Sequence, residues 1–281
     1  MNLTIVLVIY NCKLENSLTF QTLLQNIDLF EVHNTNFQLI IYDNSLIKQD
    51  ITQLSEKLSF QYVHDESNLG IAAPYNYALK KGQENGSDWL LLLDQDTSIT
   101  NDYLNEILLV SNGEIEEMAI VPQIVSQEKL VSPVLSNGFQ WTNIDNEDVS
   151  LPKYKGYTIT CINSGAMIRI SFLNSIGGFN ETEFPLDGLD HWLFYRMHLE
   201  GGKICIIDAK LIHDLSVSNY NNISLKRHIS ILESEMLLVS KYRPENLKKY
   251  KRRLVLRFFK HLLLVRNKKI AYITLKQRLK M

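Results

Sequence analysis

Residues 90–98 read LLLLDQDTS, so that four leucines run directly into Asp94, Gln95 and Asp96. Buried carboxylates are costly and like charges repel, and two of them at the end of such an apolar segment need an explanation. A short continuous apolar run is typical of a strand that is covered on both faces of a parallel sheet. Because ligands collect at the carboxyl ends of such strands, we expect the two aspartates to lie at a binding site.

Four other apolar segments accompany this one in the first 125 residues, separated by longer amphipathic or polar segments. The alternation predicts an α/β fold built from βαβ units, with a mainly parallel central sheet and helices on both faces. The predicted strands are Leu3 to Ile9, Phe37 to Tyr42, Phe60 to Val63, Trp89 to Leu93 and Met118 to Val121. Polar residues follow three of them, and we expect those ends to converge.

The pattern changes after residue 125. Residues 126–156 are polar, rich in turn residues and without a clear period, which predicts an irregular excursion. The following elements are two short strands within 157–170, broken at Asn163-Ser164-Gly165, a helix that starts near 186–189 and stops at Gly201-Gly202, and a strand over 203–207. From about residue 221 onward the pattern is helical.

Composition sets the class of protein. The chain has 281 residues, of which 45% are hydrophobic and 21% charged, as expected for a soluble globular protein with one large domain or one domain plus an appendage. Its three cysteines are far apart and favour neither a zinc site nor a disulfide framework, so we expect a reducing cytoplasmic setting. The apolar N-terminus lacks a basic leading segment and is interpreted as a first strand rather than a signal peptide.

Charge divides the chain in two. Lys241 to Met281 contains 15 Lys and Arg and one Glu, a net charge of +14; the whole chain carries −2, so residues 1–240 carry −16. We therefore predict a molecule of two parts, a main domain over 1–217 and a basic helical C-terminal extension over 218–281.

The basic extension has apolar residues at helical spacing between its Lys and Arg residues, namely Leu254, Phe258, Leu262 and Val265. Its uncharged stretches are too short to span a bilayer. An amphipathic basic helix of this kind favours peripheral binding to the anionic inner face of the cell membrane. Packing on the main domain or on a partner chain is the alternative, and no nucleic-acid partner is expected.

The aspartates of LLLLDQDTS suit a metal site. Two carboxylates at i and i+2 after a strand can reach one divalent cation, and oxygen ligands favour Mg²⁺ or Mn²⁺, which clamps a diphosphate. Such a cation would also offset the repulsion between Asp94 and Asp96. The tripeptide by itself more often marks a solvated turn or a helix cap, with Asp96 or Thr97 opening a helix over 99–110.

Six segments in a fixed order change this balance. They are VLVIYN at 6–11, IIYDNS at 40–45, NLGIAAPYNYAL at 68–79, LLLLDQDTS at 90–98, NSGAMIR at 163–169 and LDHWLFYR at 189–196. Together they resemble the inverting sugar transferases of glycosyltransferase family 2, which have the GT-A fold, over roughly residues 3–217. The form DQD, FPLDGLDHW and IHDLS are most similar to the rhamnosyltransferase branch of that family.

The resemblance implies a function. It implies metal-dependent transfer of L-rhamnose from dTDP-L-rhamnose to a saccharide or lipid-linked saccharide acceptor in cell-surface polysaccharide synthesis. A UDP-hexose or UDP-N-acetylhexosamine donor is the alternative within the same chemistry. From another class of protein, a non-catalytic scaffold recruited to membranes by its basic tail is also considered.

The resemblance also implies a nucleotide-sugar site. Its residues would be Tyr10 and Asn11 beside the nucleotide, Asp43 on the imide N–H of a uracil or thymine ring, and Asn68, Gly70, Asn76 and Asp94 around the nucleotide-sugar. The glycine would allow close backbone approach, and a helix N-terminus would face the donor. Considered alone, Asp43 fits an Asx turn equally well. Pro74-Tyr75 departs from the family pattern before Asn76.

The remaining roles are those of metal ligands, base and acceptor side. The metal ligands would be Asp94, Asp96 and His213, and the general base would be Asp190, six residues before an arginine. Asp187 is the alternative base, about one helical turn away, and either carboxylate also fits a helix N-terminal charge. Residues implied on the acceptor side are Gly165, Asp187 and Trp192. His191-Trp192 departs from the family pattern after the base.

Overall fold

The computed structural model describes residues 1–55, 58–144, 157–213 and 223–279. The chain divides into two compact units, the first of Met1–Val134 with Ile159–Asp214 and the second of Leu135–Thr158 with Leu215–Met281. The predicted boundary between residues 217 and 218 lies outside the described residues. The second unit also takes in 135–158, which the sequence prediction places within the catalytic domain.

The strands of the described residues are β1 Asn2–Ile9, β2 Asn36–Asp43, β3 Gln61–His64, β4 Trp89–Asp94, β5 Ala119–Ser126, β6 Lys129–Ser132, β7 Val134–Ser136, β8 Trp141–Asn143, β9 Thr158–Thr160, β10 Met167–Arg169 and β11 Ile204–Ile212. Eight of them form one sheet in the order β11-β5-β10-β4-β1-β2-β3, with β6 paired to β5. A three-stranded sheet has the order β8-β7-β9.

The helices of the described residues are α1 Leu18–Gln25, α2 Leu29–Val32, α3 Thr52–Ser55, α4 Ala72–Glu84, α5 Asn101–Ser111, α6 Ile170–Ser175, α7 Leu189–Leu199, α8 Leu225–Leu237, α9 Leu247–Leu264 and α10 Lys268–Leu279. Short 3₁₀ turns occur at Leu14–Asn16 and Pro244–Asn246, and a π-helical segment at Leu238–Tyr242.

The large sheet is mainly parallel, as predicted. Strand β1 pairs in parallel with β2 and β4, β2 with β3, and β5 with β11, whereas β10 is antiparallel between β4 and β5. Val8 lies opposite Asp94 on one side and Tyr42 on the other, and Ile9 lies opposite Asp43. The carboxyl ends of β1, β2 and β4 therefore meet at one edge, which confirms their predicted convergence.

Helices cover both faces of this sheet. Leu90 to Leu93 are completely buried, as the continuous leucine run predicts. On one face Ile5 of β1 shares a core cluster with Phe20 of α1 and Leu104 of α5. On the other face α4 approaches so closely that a Cβ on its Gly82 would lie 3.1 Å from the Thr4 hydroxyl of β1.

The irregular excursion predicted for 126–156 is wrong over its first half. Strand β5 extends to Ser126, and β6, β7 and β8 follow within 129–143. These strands are three or four residues long, too short for a visible period, and β6 is stabilised by pairing with β5 rather than by its own sequence pattern. Residues 145–156 lie outside the described residues.

The second unit is helical over its C-terminal part, which confirms that prediction for the described residues. Helices α8, α9 and α10 surround a small core that includes Phe139, Leu232, Val239, Tyr250 and Leu254. The apolar stripe expected to face a membrane is turned inward instead, because its first and last members, Leu254 and Val265, are buried. The sequence of a single helix does not show which of its apolar faces packs against another element when it has two.

Two buried histidines make this unit sensitive to acid. His228 and His261 lie 3.0 and 3.2 Å from the Thr274 hydroxyl, and both are almost completely buried. Burial, helped by the nearby charges of His228 and Arg257, lowers the pKa of His261 to about 4, and burial also lowers the pKa of His228. The unfolded chain, in which histidine has a pKa of about 6.5, therefore binds more protons than the folded chain in this range.

We expect the unfolding free energy to fall as the pH is lowered from about 6.5 toward 4, by up to about 1.4 kcal/mol per pH unit for each histidine. Urea unfolding at several pH values measures this slope. In His261→Gln the slope should be smaller. An equal slope in the variant would show that other groups carry the acid sensitivity.

Candidate active site

The loop after β4 is anchored by hydroxyl groups from two other segments. The Thr97 N–H donates to the Thr19 hydroxyl at 2.9 Å, and the Asp94 N–H donates to the Ser164 hydroxyl at 3.1 Å. Helix α5 is capped by Thr100, whose hydroxyl accepts from the N–H of Tyr103 at 3.2 Å. The helix-cap interpretation of Asp96 and Thr97 is therefore wrong, because the cap lies at Thr100, four and three residues further on.

Gln95 joins this loop to the end of β1. Its side-chain oxygen accepts a hydrogen bond from the Tyr10 N–H at 2.8 Å. Asn11, which follows Tyr10 in the chain, has a φ of +49° and donates its N–H to the Ser45 hydroxyl at 2.9 Å. These bonds connect the ends of β1, β2 and β4, and leave the Tyr10 ring 49% exposed at the same edge.

Asp43 is completely buried and holds its own loop together. One carboxylate oxygen accepts from the Ser45 N–H at 2.9 Å, which is the Asx-turn contact. The other accepts from the Tyr62 hydroxyl at 2.6 Å and from the Gln49 amide at 2.9 Å. Burial, with this bond to Asp43, raises the pKa of Tyr62 to about 12, so Tyr62 remains a donor. A carboxylate accepts about four hydrogen bonds, so most of the capacity of Asp43 is used within the protein, and its contact with a nucleobase stays a prediction.

Gly70 permits a close backbone contact, but with another part of the chain. Its φ is +95°, and a Cβ there would lie 2.2 Å from the Pro185 carbonyl oxygen. The N–H groups of Ile71 and Ala72 both donate to that oxygen, at 2.7 and 3.0 Å. The start of α4 was expected to face the nucleotide-sugar, whereas its first amides are satisfied by the segment before α7.

Gly70→Ala is expected to lower the free energy of unfolding by at least about 2 kcal/mol, because it adds backbone strain and a clash with Pro185. Gly86→Ala is the matched control, since Gly86 has a φ of +63° and a Cβ there would meet no atom of the described residues within 4 Å. Urea unfolding of both variants separates the cost of backbone strain from the cost of the clash with Pro185. Equal losses would mean that the contact with Pro185 contributes nothing.

Two asparagines predicted to contact the donor differ in availability. Asn68 is exposed in the loop before α4, with a φ of +46°. Asn76 is engaged by the backbone of Phe179, from which it accepts and to which it donates at 2.8 Å, and it also donates to Glu181 at 2.9 Å. A contact between Asn76 and a nucleotide would require those bonds to break.

Carboxylates from two elements act electrostatically on Tyr75. The buried Tyr75 hydroxyl lies 3.5 Å from an Asp94 oxygen, and burial together with the charges of Asp94 and Asp190 raises its pKa well above the usual range. Burial also raises the pKa of Asp94 to about 6; His213 opposes that shift, and Asp96 and Asp190 add to it. The structure thus brings Asp190 of α7 into the same electrostatic environment as the aspartates after β4.

Helix α7 starts directly before Asp190. Gly188 is its N-cap with a φ of +77°, and Asp190 lies in the first turn, where its carboxylate accepts from the His191 N–H at 2.8 Å. Asp187 was expected one helical turn from Asp190. It lies outside the helix instead, because the left-handed backbone at Gly188 separates the two residues.

His213 lies beside the loop after β4. Its Nδ1 is 2.9 Å from the Thr97 hydroxyl and 3.4 Å from an Asp96 oxygen. Over the ranges that the structure describes, no three His, Cys, Asp or Glu side chains already converge on one point as metal ligands do. The donor set nevertheless fits Mg²⁺ or Mn²⁺ chemically, since two carboxylates and an imidazole interact with one another and burial disfavours the charged form of Asp94. Residues 214–216 of IHDLS lie outside the described residues.

The other two residues implied on the acceptor side are buried. Gly165 has a φ of +81°, and a Cβ there would lie 2.6 Å from the Leu211 side chain, so this glycine serves close packing. Trp192 is 4% exposed, and its ring stacks on Phe184 with 6.4 Å between ring centroids.

Sequence reasoning missed the residues that support the site. Thr19, Thr97 and Ser164 act through hydroxyl contacts that join segments far apart in the chain, and such pairings leave no local pattern. For Tyr75 the sequence contained one indication of a special role, because the sequence departs from the family pattern at this residue.

The family model described as Glycosyl transferase family 2 matches residues 4–177. The chain belongs to glycosyl transferase family 2. Among curated proteins, this family 2 chain is 24% identical over 220 residues to the dTDP-rhamnosyl transferase RfbF of Shigella flexneri, covering 75% of this chain and 69% of that protein.

Solved structures agree with the GT-A fold. S. aureus TarS 1–349 in complex with UDP-GlcNAc is 15% identical, with a TM-score of 0.53 over 100% of this family 2 chain and 89% of that one. GalNAc-T7 with UDP, GalNAc and Mn²⁺ is 13% identical, with a TM-score of 0.58 over 85% and 47%. The chain spans 44% of the longer TarS structure. None of the helices in the described ranges is long and apolar enough to cross a membrane.

Proposed function

We propose that this chain is an inverting, metal-dependent rhamnosyltransferase that moves L-rhamnose from dTDP-L-rhamnose to a saccharide or lipid-linked saccharide acceptor in cell-surface polysaccharide synthesis. The observation that carries the proposal is the grouping of Asp190 with Asp94, Asp96 and His213 beside Tyr75. The rhamnosyl part rests on the likeness to RfbF and on the DQD sequence.

Asp190 is the general base of the proposed reaction. Its carboxylate removes the proton of the acceptor hydroxyl as that oxygen attacks the anomeric carbon, and the bond from this carbon to the diphosphate oxygen breaks on the opposite face. Asp190 then returns its proton to solvent. The Tyr75 hydroxyl, kept protonated by its raised pKa, donates toward Asp94 and helps this buried carboxylate remain charged.

Asp94, Asp96 and His213 would hold the divalent cation, and Thr97 orients the imidazole through Nδ1. When bound, Mg²⁺ or Mn²⁺ supplies positive charge that stabilises the departing diphosphate. The bound cation would also offset the repulsion between the two carboxylates at the end of the leucine-rich strand β4, which accounts for their position there.

A UDP-hexose or UDP-N-acetylhexosamine donor is the second candidate, favoured by the UDP-GlcNAc bound to TarS and the UDP bound to GalNAc-T7. Calorimetric titration of dTDP and UDP in the presence of Mn²⁺ tests both candidates. The rhamnosyl proposal requires tighter binding of dTDP, whereas preference for UDP would favour the second. A non-catalytic scaffold would turn over neither donor, and absence of binding to both nucleotides would contradict either transferase.

We also propose that the second unit binds an anionic membrane surface. On α9 the side chains of Leu256, Phe259 and Leu263 are 70%, 55% and 79% exposed and lie at i, i+3 and i+7 on one face. Arg252 and Lys260 are exposed beside them. Apolar side chains for the acyl boundary and cations for anionic headgroups are the combination that such a surface recognises.

Replacing Leu256, Phe259 and Leu263 together by serine should reduce co-sedimentation with phosphatidylglycerol vesicles at least 10-fold. Wild-type protein should not sediment with phosphatidylcholine vesicles alone. Leu109→Ser, at a 62% exposed leucine of the first unit, is the control and should bind as wild type does. If wild type ignores vesicles and the triple variant turns a dimer into a monomer, this face joins two copies of the chain instead.

A further inference from the structure

Asn163 has an unusual environment in the first unit. It lies between β9 and β10, is 4% exposed, and neither its amide oxygen nor its amide nitrogen has a hydrogen-bond partner among the described residues. Leaving a buried polar group unpaired costs about 1–3 kcal/mol, so nearly all such groups in folded proteins are paired. A carboxamide that is unpaired at both ends calls for a ligand.

The location of Asn163 identifies which part of the ligand its side chain contacts. The next residue, Ser164, accepts the Asp94 N–H at 3.1 Å, and Gly165 donates its N–H to Leu92 at 2.7 Å, which holds this segment against the end of β4. Two residues before Asn163, Cys161 is buried, and its pKa is raised by burial and by the charge of Asp190. The segment is therefore bonded to the strand end that carries Asp94, and it also lies close enough to the proposed base for the charge of Asp190 to act on it.

An inverting transfer places the anomeric carbon between these same two groups, since the acceptor attacks from the base side and the diphosphate leaves on the other. We propose that the carboxamide of Asn163 hydrogen-bonds neighbouring hydroxyl groups of the transferred sugar. A carboxamide donates and accepts side by side, as a pair of sugar hydroxyls does. The inference rests on the proposed function and adds a substrate contact to it.

Two further unpaired atoms belong to residues that lie close in sequence to assigned site residues. The Asn44 side-chain oxygen, beside Asp43, and the Trp192 indole N–H, two residues after Asp190, are also buried without partners in the part of the chain that the structure describes. Both belong to segments that form the site, as Asn163 does. Unsatisfied polar atoms collected along a catalytic edge are expected where the substrate completes the hydrogen bonding.

The test is Asn163→Leu, which keeps the approximate size of the side chain and removes both polar atoms. Its affinity for dTDP-L-rhamnose, measured by calorimetry with Mn²⁺, should fall at least 10-fold, whereas its affinity for dTDP, which has no sugar beyond the nucleotide, should not change. Its thermal midpoint should be equal to or higher than that of wild type, because an unpaired buried amide is removed.

Asn246→Leu is the matched control, since Asn246 is 5% exposed and its amide is paired with the Asn137 carbonyl at 3.1 Å. This variant should lose stability and keep both affinities. The inference is overturned if Asn163→Leu binds dTDP-L-rhamnose as wild type does, or if it loses stability and affinity for dTDP and dTDP-L-rhamnose alike. If wild type prefers a UDP-sugar, the two affinities are measured for that UDP-sugar and for UDP instead. If wild type binds no nucleotide-sugar, the proposed function fails, and the inference fails with it.

Discussion

Asp190→Asn is expected to lower kcat by roughly 10²- to 10⁴-fold, the range that a general base contributes. The amide has nearly the same shape as the carboxylate but cannot take the proton of the acceptor hydroxyl. Binding of the nucleotide should be retained, because Asp190 is assigned to the acceptor side. Turnover is measured as nucleotide release, and binding by calorimetry.

Asp187→Asn is the matched control for that variant. Asp187 lies outside α7, on the far side of the left-handed Gly188, and we expect its loss to change kcat less than about 10-fold. If Asp187→Asn abolishes turnover and Asp190→Asn does not, the base has been assigned to the wrong carboxylate. Equal and small effects of the two variants would show that neither carboxylate is the base, whereas a scaffold would show no turnover even in wild-type protein.

Removal of the metal should have the second large effect. We expect chelation by EDTA to stop turnover and Mn²⁺ or Mg²⁺ to restore it. Asp96→Asn should lower turnover by more than about 10- to 100-fold at a fixed metal concentration, the loss found when groups behind a metal ligand are altered. Because Asp96 is half exposed and pairs only loosely with His213, this change should leave stability almost unaltered.

A metal titration distinguishes a binding defect from a general one. Asp96→Asn should require a higher Mn²⁺ concentration for half-maximal turnover than wild type requires. Full turnover of wild-type protein in EDTA would contradict the assignment of Asp94, Asp96 and His213 as metal ligands.

The sheet was predictable from sequence because its strands carry their own signal. Strands buried on both faces must be continuously apolar. The leucine run of β4 and the apolar runs of its neighbours can therefore be recognised in the sequence, and so can the polar residues at their carboxyl ends. The strands within 129–143 carry no such signal, since they are short and depend on pairing partners elsewhere in the chain. The inward turn of Leu254 on α9 likewise depends on which helix face finds a partner.

Sequence motifs selected the candidate site residues, but the tertiary contacts around those residues could not be predicted. Asp94, Asp96 and Asp190 were selected by spacing and resemblance, and the structure brings their charges together. The interpretation of Gln95 as a pointer to the donor sugar stays a prediction, and the sequence did not predict that its side chain accepts a hydrogen bond from the Tyr10 N–H across 85 positions of sequence. Such a contact exists only after the sheet has formed.

The most direct measurement of the central claim is nucleotide release from a panel of dTDP- and UDP-sugars, with Mn²⁺ and with EDTA. The proposed function predicts that dTDP-L-rhamnose is the preferred donor, that release depends on the cation, and that Asp190→Asn abolishes release while still binding dTDP. Release that is insensitive to EDTA and unchanged in Asp190→Asn, or no release from any donor of the panel, would contradict it.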